Sequence, residues 1–148
     1  MKRAIISLVI AAISLFVFQT NAAAGNDKPI KVSQLPPVAR QLINTHFAKK
    51  RVAIAKQEAE VFDKSYDVVF ATGEKIEFDR KGNWTEIDCK YRAVPSPLVP
   101  APIMSYVKSH YPRTKIVSIE KDKKGYEIKL SNRIEITFNK HFQVVDID

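Results

Sequence analysis

Tyr66 to Asp88 reads YDVVFATGEKIEFDRKGNWTEID, and Tyr126 to Asp148 reads YEIKLSNRIEITFNKHFQVVDID. A shift of sixty positions matches Tyr66 with Tyr126, Val68 with Ile128, Phe70 with Leu130, Ile76 with Ile136, Phe78 with Phe138, Ile87 with Ile147 and Asp88 with Asp148. Self-similarity at a fixed spacing marks a repeated unit. In the first stretch Tyr66, Val68 and Phe70 alternate with Asp67 and Val69, and Ile76 and Phe78 alternate with Lys75, Glu77 and Asp79. A period of two predicts strands with one buried and one wet face. Ala71-Thr72-Gly73 reverses the chain between them. Asp79-Arg80-Lys81-Gly82-Asn83 reverses it again, with Asp bonding its own backbone and Gly supplying a positive φ. The unit is an antiparallel meander.

Upstream of each meander the pattern changes. SQLPPVARQLINTHF, Ser33 to Phe47, places prolines where a helix start tolerates a missing N–H, and Ala39, Ile43 and Phe47 then recur at helical spacing. PAPIMSYVKSHYP, Pro100 to Pro112, repeats this with Ile103, Val107 and Tyr111 at an offset of sixty-four, the difference being absorbed around Val61 to Lys64. A further strand follows each helix, Arg51 to Glu58 and Lys115 to Lys121. The expected fold is α+β: two helix-plus-four-strand repeats, residues 25–94 (helix about 36–47, strands about 51–90) and 95–148 (helix about 100–111, strands about 115–147). They share one core and form one curved antiparallel sheet of eight strands with both helices packed on one face. Asn26 to Lys31 reads as a polar lead-in, and Tyr91 to Ala101, with Pro95, Pro97 and Pro100, as a stiff extended linker.

Residues 1–24 are set apart from this fold. Lys2 and Arg3 precede an apolar run from Ala4 to Phe18, and Asn21-Ala22-Ala23-Ala24 offers the small residues of a signal cleavage site. The run is shorter than the roughly 20 residues that span a bilayer, so the expectation is an exported, periplasmic chain with no stable membrane anchor after cleavage. Lys and Arg number 24 against 16 acidic residues, and without Lys2 and Arg3 the excess falls from +8 to about +6. The only basic runs, Lys49-Lys50-Arg51 and Lys121 to Lys124, lack the interleaved aromatics of a nucleic-acid groove and read as solvated surface.

Catalytic chemistry finds little to stand on. Cys89 is the only cysteine, so no internal disulfide is available, and a buried thiol is the favoured reading. A nucleophilic role would need a histidine base, yet His46 and His110 occupy matching positions near helix ends and His141 lies in a turn. Asp79 to Asn83 is too short for an EF-hand loop, and Glu74, Glu77 and Glu86 have no apolar pocket to separate their pKa values. No enzymatic activity, metal or cofactor is expected.

The helix ending in HF or HYP, the YxVxF strand, the GxxIxFDxxGxW hairpin from Gly73 to Trp84 and the closing ID together resemble the PepSY-like family of small exported bacterial proteins, whose fold is similar to the beta-lactamase inhibitor protein. The resemblance covers nearly all of Ser33 to Asp148 in two copies; in the second, Arg133, Phe142 and Val144 stand where the first has Gly73, Gly82 and Trp84. It implies a periplasmic location, helices on one face of a curved sheet, and binding or inhibition of another protein. It carries over no catalytic residues.

The expected function is non-catalytic binding of an unidentified periplasmic protein, such as inhibition of a hydrolase, through the open face of the sheet. The alternative is a periplasmic sensor or carrier of a small ligand, peptide or cation. The residues expected on the binding face are Trp84, Val69, Lys75, Glu77 and Glu86, joined by Lys129, Arg133 and Glu135. Strict alternation from Ile87 puts Trp84 on that face; a local bulge would instead turn its indole into the core.

Overall fold

Ala55, Val68, Ile76, Ile87, Ile119, Ile128, Ile136 and Ile147 lie side by side, each directly paired with the next, in a row that crosses eight strands. The computed structural model describes residues 27–59 and 61–148, so the expected signal segment, residues 1–24, lies outside the described residues. The strands are β1 (Lys28–Pro29), β2 (Val52–Ala59), β3 (Lys64–Phe70), β4 (Lys75–Phe78), β5 (Trp84–Asp88), β6 (Ile116–Lys121), β7 (Gly125–Leu130), β8 (Glu135–Asn139) and β9 (Val144–Ile147). They form one antiparallel sheet in sequence order. The sheet therefore has nine strands rather than eight. The lead-in does not run free: Lys28 pairs with Gln57 and Pro29 with Lys56, at an edge where proline's missing N–H removes no central hydrogen bond.

Two helices cover the isoleucine side. α1 (Pro37–His46) and α2 (Ala101–His110) each have proline in the first turn. α1 buries Ala39 and Ile43, and Phe47 beyond its end stacks on Phe70 with ring centroids 5.2 Å apart. α2 buries Ile103 and Val107, and Tyr106 meets Phe138 edge-on at 5.5 Å. Both sets belong to one core cluster with Ile76, Ile87, Ile119, Ile128 and Ile136. The expected linker is also part of that core, since Val94 and Val99 are buried on either side of a 3-10 turn at Ser96–Leu98. Cys89 is buried in the same cluster, and burial pushes its thiol up to about 11.

Four bulges bend the sheet. The register slips at Ala53, Thr85, Val117 and Val145, each an extra residue on one strand. Such a residue strengthens local twist and reverses the facing of whatever precedes it. Thr85 does this to Trp84, which pairs with buried Phe78 and packs against the core cluster.

Candidate functional site

The residues between those of the isoleucine row point to the uncovered side. On that face Asp67, Glu77, Glu86, Glu120 and Glu127 are paired in succession from β3 to β7. Lys56 opens this row on β2, and Thr137 and Asp146 close it on β8 and β9. In a molecule with a net positive charge, five carboxylates stand on five adjacent strands at a spacing of about 4.8 Å. Like charges directly opposite each other destabilise a sheet.

Lysines compensate the first members of the row. Lys56 and Lys75 reach the Asp67 carboxylate at 3.6 and 3.4 Å, and Lys75 also bonds Glu77 at 2.5 Å. Asp67 is buried, and burial raises its pKa against the pull of Lys75. The Glu86 carboxyl is likewise pushed up, first by burial and then by Glu77 and Glu120 on either side of it. Among the described residues no group of three or more His, Cys, Asp or Glu converges to hold a metal ion.

A second row runs beside the first: Ile54, Val69, Lys75, Asp88, Ser118, Lys129 and Glu135 are paired in turn across the same face. Over β5 to β8 the two rows enclose a groove of about 590 Å³, lined on one side by Glu86, Glu120 and Glu127 and on the other by Arg133 and the ion pairs Lys90–Asp88 and Lys129–Glu135. Lys90 and Arg133 both adopt left-handed backbone, with φ of 60° and 73°. A non-glycine residue there stores strain, which concentrates at functional positions. Tyr91, 92% exposed, stands at the rim.

The structure thus gathers Val69, Lys75, Glu77, Glu86, Lys129, Arg133 and Glu135 on or beside the open face, with Lys129 and Glu135 paired at 3.2 Å. Trp84 is the exception. The Thr85 bulge puts it on the helix side, where the Lys121 ammonium sits over its ring. Sequence reasoning missed Asp67, Glu120, Glu127 and Lys90. It also read Lys50 and Glu74 as surface groups. Glu74 is buried and bonded to Lys50 at 2.7 Å, to Arg92 at 3.3 Å and to the Thr72 hydroxyl.

Residues 64–146, from β3 into β9, match the family described as "Putative beta-lactamase-inhibitor-like, PepSY-like". The chain belongs to the PepSY-like family. Solved structures agree with this PepSY-like fold. A "putative periplasmic protein" of the DUF2874 family from Bacteroides vulgatus is 55% identical, with a TM-score of 0.82 over 84% of this chain and 98% of that one. A "putative calcium-regulated periplasmic protein" from Bacteroides thetaiotaomicron is 52% identical, with a TM-score of 0.80 over 82% of this chain and 96% of that one. A third, a "putative periplasmic protein of unknown function" from Bacteroides vulgatus, is 40% identical, with a TM-score of 0.78 over 82% of this chain and 98% of that one. No curated protein matches this PepSY-like chain. Among the described residues no helix is long and apolar enough to cross a membrane.

Proposed function

We propose that this PepSY-like chain is a non-catalytic periplasmic binding protein whose open sheet face takes a basic, extended segment of another envelope protein. The observation that carries this reading is the row Asp67, Glu77, Glu86, Glu120 and Glu127, in which carboxylates stand directly opposite one another and Glu77 and Glu120 raise the pKa of Glu86 between them. Cationic side chains of a partner would relieve that repulsion, and complementary charge of this kind sets specificity and speeds encounter. The groove beside the row offers the partner a bed, with Arg133 at its far side to meet backbone carbonyls or acidic groups. Inhibition of a hydrolase is one outcome such binding would have. We also read the chain as a tandem duplication, because the bulge residues Ala53 and Thr85 have counterparts in Val117 and Val145.

A second reading has one specific support. The relative from Bacteroides thetaiotaomicron is described as calcium-regulated, and carboxylates are the ligands that calcium prefers. Here the carboxylates are laid in a line and, among the described residues, no three converge, so a cation bound by them would require their side chains to regroup. One experiment separates the two. Short lysine- and arginine-rich peptides, acidic control peptides and calcium are titrated against the wild type and a Glu86→Gln/Glu120→Gln variant. Preferential binding of basic peptides that the variant loses supports a protein partner; saturable calcium binding alone supports the second reading; neither response sinks both.

A further inference from the structure

The antiparallel order sends four turns, whose described residues are 61–63, 79–83, 122–124 and 140–143, to the same end of the sheet. The first carries Val61 and Phe62, 88% and 95% exposed, side by side at its apex. Lys64, Arg80 and Lys81 border the same recess as these two side chains. Lys123, Lys124 and Lys140 extend the basic border along the neighbouring turns. None of these six cations forms an ion pair among the described residues. Asp63, Asp79 and Asp122 in the same turns bond the backbone. Asp79 accepts from the N–H groups of Lys81 and Asn83, Asp122 from those of Lys124 and Gly125, and Asp63 from that of Lys64.

Two exposed apolar side chains at a turn, bordered by cations that form no ion pair among the described residues, match the requirements of an anionic bilayer surface. The tip enters the acyl boundary while lysine and arginine meet lipid phosphates. A protein partner fits less well, since a stable protein interface buries roughly 800 Å² on each side and needs a complementary hollow, whereas a fluid bilayer closes around any small protrusion. We propose that this end of the sheet docks on anionic lipid, with Phe62 and Val61 inserted and Lys64, Arg80 and Lys81 on the headgroups. The carboxylate face runs along the strands and not across their turns, so docking leaves it free.

The test uses residues 25–148, a span that holds every described element, and sucrose-loaded vesicles of phosphatidylcholine with or without phosphatidylglycerol. The chain is expected to sediment with the phosphatidylglycerol vesicles alone, and less as salt rises. Arg80→Glu/Lys81→Glu should lower partitioning by more than about tenfold, and Val61→Ser/Phe62→Ser by about fivefold or more. All four positions are exposed or at a turn, so thermal midpoints verify that the variants remain folded. A Phe62→Trp reporter should shift its emission to the blue on the anionic vesicles. Absence of sedimentation, variants that sediment like the wild type, or a Phe62→Trp emission that does not move would each overturn the proposal. Capture of an acidic protein without vesicle binding would overturn it in favour of a protein partner.

Discussion

The Lys121 ammonium lies 4.0 Å from the centroid of the Trp84 ring, on the same side of the sheet as the helices. The neighbouring pair Tyr126 and Phe142 stacks with centroids 5.6 Å apart, so this corner of the core is closed by aromatics and one cation. Burial lowers the pKa of Lys121. Trp84→Ala removes a large half-buried ring and the partner of that cation, and should cost about 2 kcal/mol of stability. Binding at the open face should persist. Denaturant midpoints and peptide titrations on the same preparation check both halves of this expectation.

Glu74 gives the fold an acid limit. Burial alone would raise its carboxyl, but the hydrogen bonds from Lys50 and Thr72 outweigh it and hold the pKa at about 2, against 4.5 for the free group. The unfolded chain therefore takes up this proton first as pH falls. Stability from Glu74 is complete above about pH 4.5 and is lost as pH drops through 2. Its size is about 3 kcal/mol. Glu74→Gln should lose most of this at neutral pH, and urea midpoints of the two proteins should converge towards pH 2.

The opposite sign holds at Glu86. Burial, with Glu77 and Glu120 on either side, raises its pKa, so the folded chain binds this proton more tightly than the unfolded one. Stability from this group grows as pH falls through the raised pKa and is absent well above it. Glu86→Gln should therefore stabilise the protein by about 0.5 kcal/mol at neutral pH while weakening its grip on basic peptides. A variant that loses stability would show that Glu86 is held by favourable contacts instead.

Much of this arrangement was legible from local pattern. Alternation at Tyr66, Val68 and Phe70, and helical spacing at Ala39, Ile43 and Phe47, are read within a few residues and agree with the buried set. β1 left no such trace, because two residues are too few to carry a period and Pro29 argues against a strand. Thr85 carries no mark of a bulge, yet that one extra residue decides the facing of Trp84. The carboxylate row was hidden for a different reason. Asp67, Glu77, Glu86, Glu120 and Glu127 each look like an ordinary outward position, and only the strand register sets them side by side. Writing the outward residues of the meander in strand order would have exposed it.

Arg133 tests whether the groove is kept for binding. It occupies the position of Gly73, which has a φ of 100°, and it holds a left-handed backbone of 73° without glycine's freedom. A side chain in that region costs roughly 1 kcal/mol. Its guanidinium forms no ion pair among the described residues, so the fold gains no evident return from the strain. Arg133→Gly should consequently raise stability by about 0.5 kcal/mol, the relief of strain being offset in part by the greater freedom of glycine in the unfolded chain. If the groove is the binding site, the same substitution should weaken capture of peptides that carry an acidic residue beside their basic ones, because the cation at the far side of the groove is gone. Arg133→Lys, which keeps the charge, should retain that capture. A gain in stability with unchanged affinity in Arg133→Gly would place the partner's contacts elsewhere on the sheet.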